Sequence, residues 1–225
     1  MKIKLVQADI VSKYDNVYTH DDGNKYPTTD LVRLESWFFD NKPGRLLEYG
    51  FGGGNNLLFF LSKGYIIDGI EASKEAINRF NEKYENKKNN TTTIPNLTLI
   101  KPNDRKLPFD NETFDYIICT SVLSLLGSKE SVESLIEEFV RILKIGGKTI
   151  VDINAPDTDF AKGHNIGNDQ YIQNNNTNEK FIHYCPAEST FKSILSERLN
   201  LVDLGYNARD YFGRKTIEFI ACCTK

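Results

Sequence analysis

Two carboxylates and a run of glycines carry the strongest chemical signal in this chain. The first group is Glu48-Tyr49-Gly50-Phe51-Gly52-Gly53-Gly54, and the second acid, Glu71, closes Ile66-Ile67-Asp68-Gly69-Ile70-Glu71. Carboxylates accept hydrogen bonds from hydroxyls and attract cations. Glycines let the backbone turn sharply and bring its N–H groups close to a ligand. A dinucleotide site would need G-x-G-x-x-G, but Asn55 stands where its third glycine belongs. Glu48 would also repel a pyrophosphate. The spacing that fits is E-x-G-x-G-x-G, and the pattern places a nucleoside-like cofactor at the mouth of a doubly wound sheet.

These residues need strand ends to hold them. The apolar runs at about 45–49 and 65–70 read as buried parallel strands. Around them, Leu31, Leu34, Trp37 and Phe38 mark a helix over roughly 28–40 that stops near Pro43-Gly44. Asn55 to Lys63 is a helix capped by Gly64, and Ser73 caps a helix carrying Ile77, Phe80 and Tyr84. Strands follow at 97–100 and 114–119, then a helix at 131–144 ended by Gly146-Gly147, then a strand at 149–153. Residues 154–180 show no periodicity and read as a long covering or binding loop. A helix at 190–198 precedes strands at 199–204 and 215–223, joined as an antiparallel hairpin.

The expected fold class is α/β: a seven-stranded, mostly parallel, Rossmann-like sheet with a C-terminal antiparallel strand and helices on both faces. One domain spans 1–225, with 1–42 as an N-terminal lid or helical segment and 154–185 as a substrate-covering insertion.

Composition narrows the function. A chain of 225 residues, 40% hydrophobic and 26% charged, fits an ordinary globular domain. A net charge of −3 gives no electrostatic reason to expect nucleic acid or an anionic membrane as partner. The start, broken by Gln7 and Asp9, does not read as a signal-peptide core. Cys119, Cys185, Cys222 and Cys223 are too irregularly spaced for a disulfide scaffold or a zinc site. Adjacent Cys222 and Cys223 should face opposite sides of a strand. A reduced, cytoplasmic protein without a bound metal is expected.

The E-x-G-x-G-x-G string resembles motif I of the class I S-adenosylmethionine-dependent methyltransferases, and the resemblance extends from about Tyr26 to Lys225. Leu107-Pro108-Phe109 leading to Phe114-Asp115 is similar to the family's approach to strand four, and Leu143-Lys144-Ile145-Gly146-Gly147 to its turn before strand five. The resemblance implies S-adenosyl-L-methionine as cofactor, with S-adenosyl-L-homocysteine as product. It implies that Glu48, Gly50, Gly52 and Gly54 cradle the amino acid tail and that Glu71, with Ala72 beside it, takes both ribose hydroxyls. Asn103 and Asp104 would sit beside the adenine, with Cys119 and Thr120 at the methionine end. Tyr14, Tyr18, Tyr26 and Trp37 could form an aromatic lid, with Tyr26 touching the methionine tail.

An oxygen acceptor would need a general base, and histidine titrates in the right range. His183 and then His164, in or beside the covering segment, are the candidates; the stretch after strand four, Val122 to Leu126, holds no histidine. Motifs of nucleic-acid methylation are absent from the sequence. The expected reaction is therefore methyl transfer, by analogy O-methylation, to a small polar metabolite or an activated sugar or surface-polysaccharide precursor. The alternative is a non-catalytic module that binds the same cofactor. Oligomeric state is left open.

Overall fold

The computed structural model describes residues 8–20, 26–86, 94–101, 104, 106–174 and 180–225. Its elements are α1 (Ala8–His20), α2 (Thr29–Trp37), β1 (Arg45–Tyr49), α3 (Asn55–Ser62), β2 (Ile66–Glu71), α4 (Lys74–Glu85), β3 (Asn96–Leu99) and β4 (Phe114–Cys119). There follow α5 (Lys129–Ile142), β5 (Leu143–Asn154), β6 (His164–Gly167), β7 (Gln170–Asn174), β8 (Lys180–Tyr184), α6 (Glu188–Ser196), β9 (Asn200–Tyr211) and β10 (Arg214–Thr224).

Seven strands form one sheet in the order β3-β2-β1-β4-β5-β10-β9. The pairs from β3 to β5 are parallel, whereas β10 runs antiparallel to both β5 and β9. The order reverses between β1 and β4, and such switch points open a crevice at the carboxyl ends of the strands. Both faces are covered. Leu47, Ile117, Val151 and Ala221 pack with Leu135 and Phe139 of α5 and Phe191 of α6. Leu46, Ile118, Ile150 and Cys222 pack with Leu31 of α2, Leu57 and Phe60 of α3 and Phe80 of α4. Period-two alternation therefore feeds two cores from each strand. Cys222 and Cys223 divide between those cores, and all four cysteines are buried and free.

Residues 8–20 are helical within the expected N-terminal segment, and Ile10, Tyr14 and Tyr18 recur every four residues along one stripe. Two local expectations are corrected. Gly146-Gly147 does not end α5; the helix stops at Ile142, and the glycines lie in an irregular stretch of β5 where Gly146 is left-handed (φ 75°). The segment after Asn154 is not a featureless loop: β6, β7 and β8 form a separate three-stranded meander. Among the described residues no helix is long and apolar enough to cross a membrane.

Gly54 makes the turn from the glycine loop into α3. Its φ is 70°, and a Cβ there would stand 2.0 Å from Phe80 Cδ2. Phe80 cannot yield easily, because it packs edge-on against Phe51 with centroids 5.7 Å apart. Gly54→Ala is expected to cost about 2–3 kcal/mol from left-handed strain and overpacking. Urea unfolding measures it, and a loss under about 1 kcal/mol would mean the loop relaxes freely.

Candidate functional site

The carboxyl ends of β1, β2 and β4 enclose a cavity beneath α1. Its wall includes Ile10, Tyr14 and Tyr18 from α1, Tyr49, Gly50 and Gly52 from the first strand and its loop, and Ile70, Glu71 and Ala72 from the second. Ile100 closes one end, and Thr120 to Val122 with Leu125 and Leu126 close the other.

Glu71 is held by the backbone around it. Its Oε2 accepts the Gly52 N–H at 2.8 Å, and its Oε1 accepts the Ala72 and Ser73 N–H groups at 2.7 and 2.9 Å. Burial raises its pKa, while the three N–H donors act in the opposite direction. An ionised carboxylate offers about four acceptor positions, so the backbone leaves roughly one. Both ribose hydroxyls cannot be taken as expected without loosening the loop; one can.

Glu48 sits deeper. Thr28 N–H donates to Asn56 Oδ1 at 2.8 Å, which orients that amide, and Asn56 Nδ2 donates to Glu48 Oε1 at 2.8 Å. Glu48 Oε2 is buried with no partner. Burial, opposed by the Asn56 bond and reinforced by Glu71, pushes the Glu48 pKa up to about 8. Asn56 is a further functional side chain, and its place two residues after Gly54, in the first turn of α3, is the signal the sequence offers for it.

The lid is α1. Asp15 Oδ1 accepts the Ser73 hydroxyl at 2.6 Å, and Arg79 Nε donates to the Tyr18 carbonyl at 2.8 Å, fastening α1 to α4. The Tyr18 hydroxyl meets the Gly53 N–H, and burial together with Glu71 raises its pKa. A Cβ on Gly52 would lie 2.2 Å from that hydroxyl, and one on Gly50 would lie 2.4 Å from Val122 Cγ2. Bare backbone at these positions is what lets the two walls close.

The β4 end is braced by β5. Ser121, in the left-handed region (φ 60°), donates its N–H to Asp152 Oδ1 at 2.6 Å, and Asn154 N–H donates to Ser124 Oγ at 2.9 Å. Asp152 is buried, and burial followed by the Glu218 charge raises its pKa well above the usual range. The sequence reading passed over it as part of a strand.

Several expected site residues lie elsewhere. Tyr26 and Trp37 are 75% and 72% exposed and do not line the cavity. Cys119 is buried in the core beside the lining Thr120. Asp104 accepts the Lys101 N–H at 2.7 Å and does not line the cavity. Asn103 falls outside the described residues. His164 is exposed on β6. His183 is buried behind the wall, its ring 5.1 Å from both Phe160 and Phe181, with neither nitrogen partnered. Burial, then the Lys13 charge, lowers its pKa to about 4. Neither histidine is placed as a base at the cavity.

The site suits S-adenosylmethionine on three counts. Glu48, next to the lining Tyr49 but not itself part of the cavity wall, holds a buried acceptor oxygen with no partner. The loop is bare where Tyr18 and Val122 approach. Among the described lining residues the only charged type is the carboxylate of Glu71, with no Lys, Arg or His. That lining fits a cationic sulfonium and ammonium and, among the described residues, offers a phosphate no cation to pair with.

Residues 47–151 match the model of a methyltransferase domain. A stretch of 108 residues is 32% identical to phosphatidylethanolamine N-methyltransferase of Cereibacter sphaeroides, covering 48% of this chain and 49% of that one. The match thus spans about half the length of that relative. A solved S-adenosylmethionine-dependent methyltransferase of Methanosarcina mazei superposes with a TM-score of 0.73 at 18% identity, covering 89% of this chain and 98% of the other. The 1,6-didemethyltoxoflavin-N1-methyltransferase of Burkholderia thailandensis, solved with 1,6-didemethyltoxoflavin and S-adenosylhomocysteine, gives 0.70 at 11% identity, covering 97% and 88%. At such identities the solved structures speak to fold. The motifs, the strand order and the domain match agree: residues 47–151 match a methyltransferase domain, and the fold is that of the solved S-adenosylmethionine-dependent methyltransferases.

Proposed function

We propose that this chain methylates a small molecule that arrives already nucleophilic, such as a neutral amine or an ionised thiol. The observation that carries this reading is the cavity lining, which among the described residues contains no histidine. Its tyrosines Tyr14, Tyr18 and Tyr49 all have raised pKa values, with burial the largest cause. A hydroxyl acceptor would need a base, and His183 at about pKa 4 is a weak one. O-methylation of a sugar or other polar metabolite is therefore the second reading. The relative that acts on an amine, and the neighbour solved with a small heterocycle, agree with the first.

S-adenosylmethionine supplies the methyl group as a sulfonium. The protein's part is to bind, orient and exclude water. In this reading Glu71 takes a ribose hydroxyl, Ile70, Ala72 and Ile100 flank the base, and Glu48 attracts the ammonium, while α1 and the 120–126 turn shut out solvent. Holding donor and acceptor together supplies several kcal/mol of the barrier. Four buried free thiols favour a reducing, cytoplasmic setting.

The test is calorimetric titration with S-adenosylmethionine, followed by S-adenosylhomocysteine formation across amines, thiols, phenols and sugars. No cofactor binding would end the proposal. His183→Phe separates the two readings. A buried imidazole with two unpartnered nitrogens is destabilising, and an apolar ring of similar shape is neutral or stabilising. The variant is expected to melt at the same or higher temperature and to retain turnover within about twofold. A loss beyond about tenfold at unchanged cofactor affinity would restore His183 as the base.

A further inference from the structure

We propose that the tip of the β9–β10 hairpin is a docking finger for a membrane surface bearing anionic lipid. The hairpin outruns the sheet. β10 pairs with β5 only as far as Glu218, opposite Asn154 at the end of β5, yet its ladder with β9 continues to Arg214 opposite Tyr211. Residues 208–214 are all exposed. Because Asn154 is the carboxyl end of β5, the finger stands on the same edge of the sheet as the cavity. Its root is fastened there: Lys215 N–H donates to Asp159 Oδ2 at 2.9 Å, and Thr158 Oγ1 donates to the Lys215 carbonyl at 3.3 Å.

The turn itself is a costly choice for folding. Phe212 and Gly213 form a two-residue loop with φ values of 53° and 74°. Two-residue loops with both φ values positive favour Asn-Gly, and a bulky side chain there is strained. The residue in that strained position is a fully solvent-exposed phenylalanine, next to a tyrosine that is 68% exposed. An aromatic side chain kept at a backbone cost, with nothing to pack against, points to a role outside the fold.

Charge selects the partner. Cross-strand register places Asp210 opposite Lys215, a balanced pair on one face. The other face carries Arg209 and Thr216 opposite each other, then Tyr211 and Arg214. Arg209 lies 3.9 Å from Asp30 at the base of the finger. With Arg209 paired to Asp30 and Asp210 balancing Lys215, Arg214 is, among the described residues, the uncompensated charge of the tip, beside the exposed rings of Tyr211 and Phe212 on a chain whose net charge is −3. Aromatic rings at the headgroup level, flanked by basic side chains, are the chemistry of interfacial attachment to anionic lipid. Whole-chain charge, which argues against a membrane partner, does not register a local asymmetry of this kind.

The experiment is co-sedimentation of the full chain with phosphatidylcholine vesicles, with and without phosphatidylglycerol. Wild type should pellet with the anionic vesicles, less so at high salt, and weakly with phosphatidylcholine alone. Phe212→Asn installs the favoured turn residue, so the variant should fold at least as stably, yet lose about tenfold in partitioning. Arg214→Ser should lose a comparable factor at low salt. Wild type remaining in the supernatant, or Phe212→Asn pelleting unchanged, would overturn the proposal. So would a vesicle-free dimer that Phe212→Asn converts to monomer, because the finger would then serve a second copy of the chain.

Discussion

Glu71→Ala is expected to lower stability by about 3–5 kcal/mol and to weaken S-adenosylmethionine binding by about a hundredfold. The size follows from what the carboxylate does before any ligand arrives. It accepts N–H groups from Gly52, Ala72 and Ser73, and alanine would leave all three donors without their acceptor. Each buried unsatisfied donor costs about 1–3 kcal/mol, less where water enters. The Gly52 bond matters most for binding, because it ties the glycine loop to the end of β2. Without it the loop loses its fixed position as well as a ribose acceptor. Glu71→Gln keeps one acceptor oxygen but turns an amide toward an N–H, so it should fall between wild type and alanine. Urea unfolding and calorimetry read the two effects separately. Unfolding within about 1 kcal/mol of wild type, with cofactor affinity intact, would make Glu71 an ordinary strand-end acid.

The parts of the site that were legible in the sequence are those imposed by the backbone. β1 and β4 begin and end where their apolar runs do, because a strand buried on both faces tolerates few polar residues. Gly50, Gly52 and Gly54 all take positive φ, a local demand that glycine meets without strain. Ser73 caps α4 through its own side chain, which accepts the Ala76 N–H. Each is a property of a few consecutive residues.

What the sequence hid depends on packing between distant segments. Tyr14 and Tyr18 could be named for a lid from their type alone, but their common stripe with Ile10 becomes a cavity wall only through the contacts of α1 with Ser73, Arg79 and the glycine loop. β7 and β8 mix polar and aromatic residues without clean alternation, so their pairing could not be read from period two. His183 looked like a base because histidine usually titrates near neutrality. Its burial between Phe160 and Phe181 removes that property, and burial is invisible in one dimension. Asp152 and Asn56 were passed over for the same reason, since their importance lies in the partners they reach across the sheet.

Glu48 gives the second large effect, and it appears as a dependence on pH. Its carboxyl is fully enclosed, with the Asn56 amide on one oxygen and nothing on the other. The folded-state pKa of about 8 lies above the unfolded value of about 4.3. A group raised in this way contributes its full stability below about pH 4.3, and that contribution is lost as pH rises through about 8. Glu48→Gln removes the titration while imitating the protonated acid. The variant should match wild type near pH 5 and exceed it above pH 8, by up to about 4–5 kcal/mol. Cofactor binding should reverse the ranking, since a cation beside Glu48 favours the ionised carboxylate that glutamine cannot supply. Binding to wild type near pH 7 should then release a proton, seen as a dependence of calorimetric heat on the buffer's ionisation enthalpy, and the variant should release none. A stability difference that stays flat from pH 5 to 9 would show that water already reaches Glu48, and the buried acid would no longer explain why the site selects a positively charged ligand.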